Sequence, residues 1–444
     1  VDEALWARRP EWAESAPLTL AAADGRQCTH LVVVAAHPDD ETLVVGGLIH
    51  DAAAAGVAVT VVVLTDGEAS HPDSPTHSPS DLRRLRRAEV AEALATLAPH
   101  ARLVRPALPD GGLMRNFHEI VGLVGGVLDE TATDGALVVS TWRFDGHPDH
   151  EAVGAAVAQV CAERGVRHLE APLWLWAWQD ASAVPWSELL LHPLSRPTRV
   201  IKREALAAHK SQVGPLSAAP GDEALLSAEV LAHFARPWES FVERGAASFD
   251  EMYAAGDDPW GFDSSWYEER KRALTLASLP ERRLGRVLEI GPGTGLLTVA
   301  LAERADDVLA IDVSAQALER VEDRLRSAGL ADHVELRRGH VAYDWPEGEF
   351  DIILVSEVGY FLSSSECDVL LASARDHLSA SGTLCLVHWL HPIEGWPLDG
   401  HAVHDRALKL SGLERVVQHV ETDLRIDVLR RPGLPSVAQA EGRC

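Results

Sequence analysis

The sequence predicts two doubly wound α/β domains in succession, and three observations carry that prediction. Apolar, β-rich runs alternate with helical periods in both halves of the chain, as in parallel strands joined by crossover helices. In each half one such run empties into a turn of special residues: Ala35-Ala36-His37-Pro38-Asp39-Asp40-Glu41 in the first and Gly291-Pro292-Gly293-Thr294-Gly295 in the second. Finally, 444 residues are too many for one ordinary hydrophobic core.

Composition bounds the function. A formal net charge of -27, with acids spread throughout, disfavours a polyanionic partner, because little would offset phosphate repulsion. The dense basic run Arg83-Arg84-Leu85-Arg86-Arg87 spreads around a helix and reads as a solvated face with one or two inward members. The five cysteines, Cys28, Cys161, Cys367, Cys385 and Cys444, share no close spacing, so neither a disulfide framework nor a cysteine zinc site is indicated. No apolar stretch reaches membrane-spanning length, and Val1-Asp2-Glu3 lacks the basic and apolar regions of a secretion signal. The expectation is a cytoplasmic protein whose partners are small molecules, not nucleic acid or membrane.

In the first half, strands are predicted over 31–34, 57–64 and 101–104, with helices over 42–55 and 80–97 between them. A strand that ends in a turn delivers its next residues to the carboxyl edge of the sheet, where open α/β folds place their sites. His37 and Asp40, three residues apart, can share a divalent ion while Asp39 points elsewhere and stays free to act as a base. The same turn also reads as a polar helix cap, with Asp40 or Thr42 as N-cap. A second buried strand, 136–140, is followed by His147-Pro148-Asp149-His150. Two His-Pro-Asp turns, each after a parallel strand, favour the metal reading, with His37, Asp40 and His150 as a three-ligand set that leaves positions open for water and substrate. Zinc suits these borderline ligands, and ferrous iron is the alternative.

These residues resemble the PIG-L/LmbE family of metal-dependent N-deacetylases over roughly 28–245. The likeness includes Ala-His-Pro-Asp-Asp-Glu, Thr65-Asp66-Gly67-Glu68, Arg86 and Glu89, Leu108-Pro109-Asp110-Gly111, His147-Pro148-Asp149-His150 and Ala208-His209-Lys210-Ser211-Gln212. The resemblance implies a Rossmann-type deacetylase in which His37, Asp40 and His150 bind the metal and Asp39 is the general base. It further implies that His147 stabilises the oxyanion or protonates the leaving amine and that Asp149 tunes His147. Arg86 either reaches substrate or pairs with Glu89 on the helix surface. Trp174, Trp176 and Trp178 alternate as on one face of a strand, either as core or as a stacking surface for sugars. The first domain is expected to span 1–245.

The second half opens with an aromatic stretch, 249–271, expected to form a helical lid. Strand 286–290 then carries Glu289 and runs into Gly291, Gly293 and Gly295, a helix follows over 296–303, and strand 308–312 ends in Asp312. An acid at the tip of the second strand is placed to grip a ribose diol, and Gly-x-Gly-x-Gly spacing counts against a dinucleotide. The combination resembles the class I S-adenosylmethionine methyltransferases, and the resemblance implies a cofactor site at Glu289, Gly291, Gly293, Gly295 and Asp312. His340 stands where such enzymes present an acid to the adenine, Val341 offers a backbone amide, and Ser356 ends the fourth strand. The Asp-Pro-Trp and Ser-Trp-Tyr-Glu segments look like NodS-type N-methyltransferases over 248–430. Glu357, Tyr360, His388 and His391 are the implied amine pocket, with Glu357 and Tyr360 as catalytic candidates. His388 and His391 read equally as satisfied histidines at a strand end.

The expected organisation is therefore a deacetylase domain over 1–245, a methyltransferase domain over 246–430 and a disordered tail over 431–444. Deacetylation releases an amine and N-methylation consumes one, so the expectation is a bifunctional enzyme that removes an N-acyl group from an acetamido sugar or aminoglycoside-like intermediate and methylates the amine so released. The alternatives are methylation of oxygen at a separate position, or one half serving as a non-catalytic scaffold.

Overall fold

The structure, a computed structural model, describes residues 2–22, 24–131, 135–243, 261, 263–393 and 396–443. The chain divides into two compact units, Val1–Gly245 and Ala246–Cys444. Of the lid segment expected over 249–271, residues 249–260 and 262 lie outside the described residues, and its end enters the helix Trp266–Ser278.

The first unit is built on an eight-stranded sheet of β1 (Ala16–Pro17), β2 (His30–Ala35), β3 (Ala58–Val63), β4 (Arg102–Val104), β5 (Ala136–Thr141), β6 (Arg167–Ala171), β7 (Leu189–Pro193) and β8 (Trp238–Val242). Its order is β1-β7-β8-β6-β5-β2-β3-β4. The pairs from β6 through β4 are parallel, and β8 runs antiparallel to both β6 and β7. Side chains alternate across a strand, so Leu31, Val33 and Ala35 enter one core beneath helices Asp40–Ala54 and Pro79–Leu97. Val32 and Val34 are equally buried on the opposite face, as expected for a parallel sheet covered on both sides. From β2 the chain builds outward to β3 and β4, then returns to add β5 and β6 on the other side. The strand order thus reverses between β2 and β5, a topological switch point where α/β sheets open a crevice.

The second unit repeats the principle with seven strands: β9 (Arg286–Ile290), β10 (Asp307–Asp312), β11 (Val334–Arg338), β12 (Phe350–Ser356), β13 (Leu378–Trp389), β14 (Glu414–Val420) and β15 (Leu424–Arg430). The order is β11-β10-β9-β12-β13-β15-β14, with β13, β15 and β14 paired antiparallel. Leu288 and Ile290 enter one core and Val287 the other, so this sheet is also covered on both faces. Its switch point lies between β9 and β12.

Local chemistry explains most boundaries. The helix Pro79–Leu97 starts in a capping box of Ser78 and Asp81, and Pro148 at the first turn opens the helix Pro148–Arg164 with His147 as N-cap. Three expectations are corrected. The N-cap of helix Asp40–Ala54 is Asp39, whose carboxylate makes no capping bond. Residues 174–178 form a helical turn, Trp174–Trp178, instead of a strand. In the tail expected to be disordered, Val437–Ala440 is a turn of helix held by a Ser436–Gln439 capping box.

Candidate functional site

In the first unit the switch point gathers three of the predicted side chains. His37 follows β2, Asp40 opens the next helix, and His150 sits in the first turn of the helix after β5. His37 Nδ1 and His150 Nε2 are 3.3 Å apart, His37 Nδ1 and Asp40 Oδ2 3.6 Å, and His150 Nε2 and Asp40 Oδ2 3.4 Å. Donors bound to one ion at about 2.1 Å in a tetrahedral array lie about 3.4 Å apart. The residues therefore fit a divalent ion.

The remaining ring nitrogens are held from behind. His150 Nδ1 is 2.8 Å from Asp145 Oδ2, and Asp145 also accepts hydrogen bonds from the backbone of Leu173, Trp174 and Leu175. His37 Nε2 is 3.1 Å from Asp110 and 3.2 Å from Asp149. Carboxylates in this position fix the tautomer and raise the basicity of the liganding nitrogen. His37, Asp110 and Asp149 are themselves a group with metal-binding spacing. Asp149 is already bonded to the amides of Gly111 and Leu113, and Asp110 to that of Ala69, which marks them as supports. Asp149 was expected to tune His147; its charge does favour protonation of that ring, and its carboxylate also hydrogen bonds His37.

Charge follows the geometry. Burial opposes protonation of His37 and His150, yet the facing carboxylates hold His37 well above its ordinary pKa and His150 at about 9, while the two imidazoles hold Asp40 well below. Asp39 behaves differently. Burial, partly offset by Arg86, pushes its carboxyl up to about 6. Its backbone has φ 140°, a region that is costly for a residue with a side chain. It is held there by Glu41, which accepts its amide, and by Arg86, which bonds Pro38 O, Gly67 O and Asp39 Oδ1. A side chain at Gly67 would come within 2.1 Å of that guanidinium. Arg86 is thus buried against the Asp39 turn and does not pair with Glu89, which binds Ser211. His147 accepts the Asp149 amide at Nδ1, which leaves its proton on Nε2; burial and the neighbouring His150 and His37 lower its pKa to about 4.

In the second unit Gly291, Gly293 and Gly295 all have positive φ, which glycine adopts without strain. A Cβ at Gly291 would meet Val358 at 2.2 Å, so the turn after β9 closes against the turn after β12. Glu289 is 2% exposed, and one of its oxygens has no hydrogen-bond partner. Burial lifts its pKa to about 7. Such an orphaned acid beneath a glycine turn, with Asp312 ending β10, fits a cationic, ribose-bearing cofactor. His340 packs on Tyr343 with its amide bonded to Asp344, the Val341 side chain is core, and Ser356 ends β12.

Glu357, which follows β12, has φ 58°. Its carboxylate accepts from Lys271 at 3.0 Å, from the Trp389 amide and from the Tyr360 hydroxyl. Burial and the adjacent Glu357 carboxylate hold Tyr360 well above its ordinary pKa, so it stays a neutral donor. His388 is a core residue, accepting the Gly359 amide and bonded to His404, which binds Asp427. His391 is exposed and pairs with Asp423.

Comparison with known families assigns both units. Residues 32–161 match the GlcNAc-PI de-N-acetylase (PIG-L) family, and residues 287–382 match the methyltransferase domain family. The first unit carries a PIG-L domain and the second a methyltransferase domain. The methyltransferase domain is similar to Nodulation protein S of Rhizobium tropici, 32% identical over 109 residues that cover 24% of this chain and 44% of the relative. A protein-L-isoaspartate O-methyltransferase of Methylorubrum populi is 37% identical over 139 residues, 31% of this chain and 62% of the relative. The chain thus spans less than two thirds of either relative. Among solved structures, the N,N'-diacetylchitobiose deacetylase of Pyrococcus horikoshii has 18% identity and a TM-score of 0.34, covering 41% of this chain and 70% of its own.

Asp145, Lys271 and a supporting role for Asp110 were not foreseen. For Asp145 the signal was present: it precedes the candidate ligand His150 by five residues, within the reach of a carboxylate that braces an imidazole.

Proposed function

We propose that the PIG-L domain hydrolyses an N-acyl group from an amino-sugar-like substrate and that the methyltransferase domain methylates the amine so released. The observation that carries the hydrolytic step is the donor triangle of His37, Asp40 and His150, with sides of 3.3 to 3.6 Å and Asp39 beside it. A divalent ion held there, zinc by the ligand set and ferrous iron as the alternative, supplies a Lewis acid and a water of lowered pKa. Asp39 takes the proton of the attacking water and returns it to nitrogen as the C–N bond breaks, giving a carboxylic acid and an amine. His147, protonated at Nε2, donates to the acyl oxygen as charge develops there. Asp110, Asp149 and Asp145 keep both liganding rings in place.

In the second unit Glu289, Gly291, Gly293, Gly295 and Asp312 are the residues that would hold S-adenosylmethionine, which supplies an electrophilic methyl group. Amine methylation needs chiefly a neutral nitrogen held in line, and Glu357 with Tyr360 at the end of β12 is placed to orient it. The family name of the first domain and the NodS-like aromatic segment support an amino sugar and a nitrogen acceptor. Joining two catalysts in one chain raises the local concentration of the intermediate. Methylation of oxygen is the second reading, favoured by the isoaspartate O-methyltransferase relative.

Mass spectrometry of products from the metal-loaded chain and its Asp39→Ala variant, given acetamido sugars with and without S-adenosylmethionine, separates these readings. The variant is expected to lose deacetylation by about 1,000-fold and still to methylate supplied free amine. Methylation of intact acetamide by the variant would assign the methyl group to another position.

A further inference from the structure

The helix Trp174–Trp178 presents two different faces. On one, Trp176 is buried, 5.2 Å from the Trp6 ring and 5.4 Å from Trp12. On the other, Trp174 and Trp178 stack with ring centroids 4.2 Å apart and planes within 9°. Trp178 nevertheless remains 53% exposed, a large apolar surface left open to water. Its plane lies within 19° of the His147 ring at 6.4 Å. A Cβ on Gly146 would come within 3.7 Å of the Trp178 ring, so the indole abuts the turn that carries His147.

Asp145 makes this placement rigid. One carboxylate orients the ligand His150 and accepts the amides of Leu173, Trp174 and Leu175 at the start of the tryptophan helix. Gln179 closes the other end by donating to Phe144 O. The aromatic surface and the His147 turn are therefore held in one register, with the exposed ring beside His147.

We propose that Trp178, backed by Trp174, is the platform for the ring that bears the acylated nitrogen, binding the apolar face of a pyranose beside the His37, Asp40 and His150 group. A stacked indole offers a wide, flat surface to the axial C–H groups of a sugar while its hydroxyls stay in water. The inference rests on the deacetylase reading of that group.

The test uses the full, zinc-loaded chain with Trp178→Ala and Trp178→Phe, assayed on N-acetylglucosamine, the acyclic N-acetylethanolamine and acetanilide, with glucosamine binding followed by calorimetry. Trp178→Ala should raise KM for N-acetylglucosamine about tenfold, move kcat far less, and cut the sugar-to-acyclic preference in kcat/KM by a similar factor. Trp178→Phe should recover most of that preference. An unchanged preference, or a larger penalty on acetanilide than on the sugar, overturns the proposal. If the wild type hydrolyses none of the amides, the deacetylase reading fails; glucosamine binding weakened by Trp178→Ala would still support the platform, and unaltered binding would remove it as well.

Discussion

The two units solve the same topological problem with different materials. Each gathers its candidate residues where its strand order reverses, and each puts an acidic residue with positive φ just beyond a switch strand, Asp39 in the first and Glu357 in the second. Apart from glycine, Ala107 is the only other described residue with that backbone. Around Asp39 the first unit assembles ionisable groups that brace one another, whereas beside its Glu357, Lys271 and Tyr360 cluster the second has a turn of glycine backbone above one acid, Glu289, without a full set of partners. Hydrolysis of an amide needs protons moved and an oxyanion held, so groups must be tuned. Methyl transfer needs chiefly position, so shape and a few orienting groups suffice.

Metal removal gives the largest contrast. Dialysis against a chelator should abolish amide hydrolysis and leave methylation of free amine intact, with added zinc restoring the first activity. Equal loss of both would mean that the units are not chemically independent.

The orphaned acid gives the next effect. Glu289 titrates at about 7 instead of its ordinary 4.5. Between those values the folded chain keeps a proton that the unfolded chain releases, so stability falls as pH rises from 4.5 to 7 and stays reduced above that. The shift corresponds to about 3 kcal/mol in the second unit. Glu289→Gln should therefore melt higher than the wild type at pH 8 and equally near pH 4.5, and S-adenosylmethionine should protect the wild type more. A gap that does not vary with pH would show that the acid is satisfied after all.

Asp145→Asn is the mildest change. Its one carbonyl oxygen can keep the Leu173 and Leu175 amides while the acceptor shared by Trp174 and His150 is lost, so metal affinity measured by competition with a chelating dye should drop about 10- to 100-fold. No drop would make Asp145 a strut of the helix alone.

Much of this was legible because it is local. His37, Asp40 and His150 follow apolar strands in two His-Pro-Asp turns, and a strand-turn-helix unit leaves little freedom in where such residues go. The glycine turn and Asp312 were legible for the same reason. The supports are set by tertiary contacts and were not: Asp149 bonds His37 as well as acting on His147, and Arg86 left Glu89 for the backbone of the Asp39 turn. Trp174, Trp176 and Trp178 alternate as in a strand, yet 174 and 178 are also one helical turn apart, and in so short a segment the two periods cannot be told apart. Strand β15 carried its own signal in the alternation of Leu424, Ile426 and Val428 with Arg425 and Asp427, while short β1 and β7 did not.

The double attachment of Asp145 has an evolutionary corollary. It grips the tryptophan helix through backbone amides, and any amino acid except proline supplies an amide. Residues 174 and 178 are therefore free to drift toward new ring shapes without loosening His150. A scaffold so arranged can change its exposed rings while the His37, Asp40 and His150 group keeps its geometry.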